Sequence, residues 1–390
     1  MISVETALDI IKNNSTLLTP RVLSLLEAQH HVLAEDCISM ITMPPFRQSA
    51  MDGYALHLTN ATSYQIIDEV KAGDAINPEL QEGEGVRIFT GARVPDTATT
   101  VIMQEKTEKS GTVLTIPADT LIDKNIRPAG EQIKKGAVAL PKGTRLNAAA
   151  IGFLTGLGIT EVTVYPSPKI GIVVTGNELV APGQPLPDGK IYESNYIQLH
   201  AALTNMHITG ITKYMVKDDY QSTEATLQKA LQENEVLLVS GGISVGDYDF
   251  VGKALRNLKT QELFYKVKQK PGKPLFFGKR ATTTVFALPG NPASSLTCFY
   301  IHVVPLLHRM MGIQNFGLPK VQKQLINDYQ KKGERAEFLK AYVENDQVTI
   351  LDGQSSAMLN TYALANALVY FPVTSDGAHK NQLVECMLLP

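Results

Sequence analysis

Residues 235–250 read EVLLVSGGISVGDYDF: an apolar run that ends in Ser240, Gly241 and Gly242, continues through Ser244 and Gly246, and then adds Asp247 and Asp249. A buried-looking strand that ends in glycines lets the backbone approach a ligand closely. Free N–H groups and serine hydroxyls at such a loop suit an anion, and the aspartates suit a cation. The same strand-then-helix order recurs around this stretch. KIGIVVTG (169–176) precedes NYIQLHAALTNM (195–206), ITKYMVK (211–217) precedes STEATLQKALQEN (222–234), and TVFALPGNP (284–292) precedes a long apolar helix. This alternation predicts a parallel sheet covered by helices over 168–316, with ligands bound at the carboxyl ends of its strands.

Outward from this centre the pattern changes twice. Ser3 is placed to cap a helix over 4–14, and Thr19 with Pro20 predicts a second helix over 21–35. From Pro44 to about 140, short β-like runs alternate with Gly, Pro and Asp turns, which predicts a β-rich inserted domain. Asn147 restarts a helix that Gly158 ends, so 1–43 and 141–167 read as one discontinuous helical domain. After about 317 four β-like runs predict a small C-terminal barrel or sandwich.

Composition sets the function classes. The chain has 390 residues, 44% hydrophobic and 19% charged, with net charge −2, so no general field favours nucleic acid or an anionic membrane. Cys37, Cys298 and Cys386 are isolated and odd in number, which argues against a disulfide framework and suits a reducing cytoplasm. The longest apolar run, 296–312, carries His302, Pro305 and His308 and reads as a buried helix, not a membrane span.

The expected carboxyl edge concentrates the candidate site. Thr175, Gly176 and Glu178 follow one strand, the 240–250 loop another, and Pro289, Gly290, Asn291, Pro292 and Ser294 a third. The third loop reads equally as a well-capped helix start. Between the second and third, Lys270 and Lys273 flank a Pro-Gly turn; an ordinary basic turn and a phosphate or oxyanion site are both open. Clustered carboxylates among Glu178, Asp218, Asp219, Asp247 and Asp249 suit Mg²⁺ shared with phosphate oxygens. In the insert, Asp52 of PPFRQSAMDGYAL (44–56) and Thr90 of RIFTGARVP (87–95) read as a turn and a strand end.

Those two segments, with IRPAGEQIKKG (126–136), VVTGNEL (173–179), VSGGISVGDYDF (239–250), KQKPGKP (268–274) and ALPGNPASS (287–295) in this order, resemble the molybdopterin molybdenumtransferase family, called MoeA in bacteria and related to the gephyrin E domain. The resemblance spans essentially the whole chain. It implies a four-domain enzyme that inserts molybdate into adenylylated molybdopterin with release of AMP, uses Mg²⁺, and forms an elongated homodimer in which Asp52 and Thr90 face the partner's cleft. It further implies catalytic roles for Asp52, Thr90, Glu178, Asp249, Lys270 and Lys273, and metal binding among Glu178, Asp218, Asp219 and Asp249. Ser240, Gly241, Gly242, Ser244, Gly246, Pro289, Gly290, Asn291, Ser294, Arg335 and Ser356 would bind substrate. Molybdopterin adenylyltransferases and recipient molybdoenzymes would be partners. The chain departs from the family pattern at Asn177, at 247–250 and at Lys340, where Arg is common. A molybdopterin adenylyltransferase or CinA-like pyrophosphatase would share only the α/β region, and a gephyrin-like scaffold is the alternative from another class.

Overall fold

A computed structural model describes residues 1–217, 219–243 and 250–390. They divide into two compact units. One comprises Met1–Val22, His30–Ala34 and Thr163–Pro390; the other comprises Leu23–Gln29 and Glu35–Val162.

Helix α1 (Val4–Asn14) opens the first unit, its N-terminus capped by Ser3, whose hydroxyl accepts the Thr6 N–H at 3.1 Å. The helix expected over 21–35 is corrected: Arg21–Ser24 is a strand, a single turn follows, and Val32–Leu33 is again extended. Ser24 and Glu27 form a reciprocal box that starts the turn only at Ser24, and His30 ends it by entering the left-handed region at φ 70°. Val32 and Leu33 then pair with Tyr165 and Val164, which overrides the helical periodicity.

The second unit is β-rich, as its spacing predicts. Its main sheet contains β1 (Gly53–Leu56), β2 (Ser63–Val70), β3 (Glu84–Ile88), β4 (Thr100–Met103), β5 (Glu108–Ser110) and β6 (Val113–Thr115), in the order β4-β1-β3-β2-β6-β5. β1 is buried along its length because both faces are covered: Tyr54 and Leu56 join one apolar cluster, Ala55 the other. Helix α2 (Ala148–Gly156) begins at Asn147, whose side chain accepts the Ala150 N–H at 2.9 Å.

The first unit resumes with the α/β layer: β7 (Ile170–Thr175), α3 (Asn195–Asn205), β8 (Ile211–Val216), α4 (Tyr220–Glu233), β9 (Val236–Ser240), α5 (Phe250–Asn257), β10 (Gln261–Tyr265), β11 (Gln269–Lys270), β12 (Phe276–Arg280), β13 (Thr283–Leu288), α6 (Pro292–Cys298) and α7 (Val304–Met310), with a π-helical turn at Phe299–Val303 before α7. The sheet order is β8-β7-β9-β13-β12-β10. The first four strands are parallel; β12 alone runs against them, and β10, antiparallel to β12 at the edge, again runs with them. The parallel sheet expected from sequence is present, and one reversed strand is added to it: a tight β12–β13 hairpin needs no crossover helix. The C-terminal strands β14 (Lys320–Leu325), β15 (Ala336–Glu344), β16 (Gln347–Ile350), β17 (Ala367–Phe371) and β18 (Leu383–Leu388) close into a five-stranded barrel, β15 pairing with both β16 and β17. Between the two open sequence readings, barrel is the outcome. Val4, Ala7 and Ile11 of α1 share one apolar core with Ile170, Leu307 and the barrel's Phe338.

Candidate active site

A cavity of about 760 Å³ opens at the carboxyl ends of β7, β9 and β13. Its wall is made by the loops that the sequence singles out: Thr175, Gly176 and Glu178; Ser240, Gly241 and Gly242; Pro289, Gly290 and Asn291. Gly241 sits at φ +90°, and a Cβ there would lie 2.7 Å from the Thr175 carbonyl oxygen. The loops after β7 and β9 therefore pass at a distance that only glycine permits.

The loops are tied together by a residue that sequence reasoning missed. Asn195, at the start of α3, donates to Ser240 Oγ at 2.8 Å and to the Gly290 carbonyl at 2.7 Å, while its own oxygen accepts from Gln198 at 2.9 Å. Just before it, Glu193 is 1% exposed. Its carboxylate accepts the Tyr196 N–H at 2.7 Å and lies 3.6 Å from Lys213. The available signal was the polar Glu-Ser-Asn step directly before an apolar helix.

The barrel supplies the opposite wall. Asn291 donates to Ser356 Oγ at 3.0 Å, the Ser294 N–H donates to the Ser356 carbonyl at 3.2 Å, and Ala357 lines the cavity. Pro274, next to exposed Lys273, lines it as well. β11 pairs with β15, which brings Lys270 beside Glu337, and the ammonium lies 3.1 Å from that carboxylate, itself 1% exposed. Tyr329 donates to the other Glu337 oxygen at 2.7 Å; burial first, and then that carboxylate, push its hydroxyl up. Arg335 donates to the Gln269 carbonyl at 3.4 Å. Gln269 is fully buried and its side-chain oxygen lies 2.7 Å from His302 Nε2. Burial holds the His302 imidazole neutral, pushing it down to about 3. Gly272, at φ +85°, has no room for a side chain: a Cβ would meet Cys298 Sγ at 2.4 Å. The Pro-Gly lysine turn is thus a rigid part of this corner.

In the second unit, Asp52 and Thr90 do meet. Asp52 Oδ1 accepts both the Thr90 N–H and the Thr90 hydroxyl at 2.7 Å, which holds the exposed carboxyl below its usual range. Arg87 beside them donates to the Gly53 carbonyl at 3.0 Å and stacks over Tyr54 and Phe89.

Of the candidate metal ligands, Glu178 lines the cavity with its carboxylate folded back over Gly176. Asp219 is the N-cap of α4: its side chain accepts the Ser222 N–H at 2.8 Å, and that bond keeps its carboxyl low. Asp218, Ser244, Gly246, Asp247 and Asp249 lie outside the described residues. Among those described, no group of three or more His, Cys, Asp or Glu side chains forms a ready metal site.

Three family models match in chain order: the MoeA N-terminal region (domain I and II) over residues 2–158, a probable molybdopterin binding domain over 171–309, and the MoeA C-terminal region (domain IV) over 323–389. A molybdopterin molybdenumtransferase of Haemophilus influenzae is 37% identical over 302 residues, 76% of this chain and 74% of that protein; one of Staphylococcus epidermidis is 30% identical over 94% of this chain and 90% of its own. This chain belongs to the molybdopterin molybdenumtransferase family. The fold agrees with that membership: a molybdopterin biosynthesis MoeA protein from Pyrococcus horikoshii superimposes with TM-score 0.84 at 30% identity, each chain covered completely. Among the described residues no helix is long and apolar enough to cross a membrane.

Proposed function

We propose that this member of the family is a transferase that inserts molybdate into adenylylated molybdopterin and releases AMP. The observation that carries the reading is the cavity's composite wall, with strand-end loops of the α/β layer facing Ser356 and Ala357 of the barrel. A molybdopterin adenylyltransferase has no such barrel, and the family match extends over both the insert and the barrel.

The reaction needs a place for phosphates and a place for an oxyanion. The glycine turn at Ser240–Gly242 and the N-terminal end of α6 offer backbone N–H groups to the phosphates. Lys270, Lys273 and Arg335, with Ser294 and Ser356, form the corner for molybdate. Lys270 is held by Glu337, so an incoming oxyanion shares or replaces that carboxylate as its partner. As two Mo–S bonds form, one molybdate oxygen leaves as water with both thiol protons; water cleaves the pyrophosphate into AMP and the pterin monophosphate. Asp52, ionised and oriented by Thr90, accepts the proton released by the water that cleaves the pyrophosphate.

Mg²⁺ fits the donors present. It commonly uses one or two carboxylates together with substrate phosphates, and Glu178 is a hard oxygen donor on the cavity wall. Glu178 would hold the ion, which supplies charge neutralisation at the pyrophosphate. Asp219 is the less suited donor because its carboxylate already caps α4. We further propose a homodimer in which Asp52 and Thr90 serve the partner's cavity, working in the cytoplasm, where three buried free cysteines suit reducing conditions.

The deciding experiment mixes purified protein with adenylylated molybdopterin and Mg²⁺, with and without molybdate. AMP release that requires molybdate, giving a pterin that activates an apo-molybdoenzyme, is the expected result. ATP consumption with free molybdopterin instead would assign the preceding adenylylation step.

A further inference from the structure

The cavity's described lining contains two carboxylates, Glu178 and Glu193, but no Lys, Arg or His. Beyond the lysine and arginine corner and the ion proposed above, an anionic substrate draws counter-charge from behind that wall. One buried cation there serves none of the roles described above. Lys340, on β15, is 4% exposed, and no carboxylate among the described residues pairs with it. Its ammonium donates to the carbonyls of Gly353 at 2.7 Å, Ser355 at 3.2 Å and Met358 at 3.1 Å, which uses all three protons. Its main chain is tied to the same loop: the Lys340 N–H donates to Gln354 Oε1 at 3.0 Å, and Gln354 Nε2 donates back to the Lys340 carbonyl at 2.8 Å.

Carbonyl oxygens satisfy an ammonium's hydrogen bonds without cancelling its formal charge, and holding such a charge out of water is costly. An apolar residue of similar length would fill the same space. What distinguishes the lysine is what it organises. The clamped loop carries Ser356, bonded to Asn291 and Ser294, and Ala357 on the cavity wall.

We propose that Lys340 is a positioning residue for oxyanion binding: it fixes the 353–358 loop at the molybdate corner and leaves an uncancelled positive charge behind it. The inference rests on the proposed insertion reaction. It explains why a residue buried in the barrel, remote in sequence from every glycine loop, is a cation.

The test compares wild type, Lys340→Met and Lys340→Arg for steady-state AMP release, with molybdate varied at saturating adenylylated pterin and Mg²⁺. Loss of hydrogen bonds made by a charged group predicts a molybdate KM raised about tenfold in Lys340→Met, with kcat changed by no more than about twofold and recovery in Lys340→Arg. An unchanged KM, a fall in kcat alone, or no recovery with Arg overturns the proposal. If Lys340→Met does not fold, Gln354→Ala loosens the same loop with the cation in place and must raise the KM in the same direction; an unchanged KM there overturns it too. Equilibrium dialysis against molybdate alone, on wild type and variants, needs no turnover. Wild type that binds molybdate without releasing AMP would overturn the insertion reading, while the ratio of wild-type to variant binding would still decide the role of Lys340.

Discussion

The strand-end cavity and the Asp52–Thr90 pair build their chemistry in opposite ways. The cavity gathers groups from six stretches of chain, and Asn195 joins the loops after β9 and β13. Asp52 needs one neighbour: Thr90 donates two hydrogen bonds to a single carboxylate oxygen. In the first, function depends on shape, so neutral glycines and amides matter as much as charges. In the second, the proposed role rests on one ionised group, so its removal should spare the fold and lower turnover.

The sharpest way to break this contrast is Asp52→Asn. Loss of a proton acceptor predicts turnover lower by at least about 100-fold with an unchanged melting temperature. Undiminished AMP release would leave the pair without a chemical role. Gly272→Ala tests the other side: a methyl group 2.4 Å from Cys298 Sγ, at φ +85°, predicts a stability loss of about 1–3 kcal/mol by thermal melting. A variant as stable as wild type would show that the lysine corner is not rigid. Asp219→Ala, as loss of a cap, predicts a small drop in melting temperature with turnover and the Mg²⁺ requirement within about twofold of wild type; a large rise in the Mg²⁺ requirement would make Asp219 a ligand. The smallest effect concerns pH. Thr90 keeps the folded Asp52 carboxyl below the ordinary 3.8, so its ionised form persists as pH falls to that value and is lost only below it. An acid limb in the pH–rate profile well above pH 4 must then survive in Thr90→Val, and its movement in that variant would assign it to Asp52.

Local patterns carried most of the fold. The β–α alternation of 169–316, the Ser3 and Asn147 caps and the short strands of the insert all rest on interactions between near neighbours in sequence. One misreading has a tertiary cause. Residues 21–35 carry helical periodicity, but Val32 and Leu33 gain a strand partner far along the chain, in 164–165. At the site, glycine-rich loops advertise themselves, so the cavity wall was legible. Asn195 and Lys340 were not: an amide at a helix start and a lysine in a strand are common, and only their partners distinguish them.

The discontinuous first unit also has a consequence for how the protein is made. Val4, Ala7 and Ile11 of α1 find their core partners Ile170 and Leu307 only after the whole of Glu35–Val162 has been translated. At about 5–20 residues per second, the new helix waits on the order of ten seconds with its apolar stripe uncovered. The apolar clusters of the insert draw only on residues within that intervening stretch, so they can close while the ribosome is still at work. The first unit is completed last, when the chain's beginning packs onto its later part.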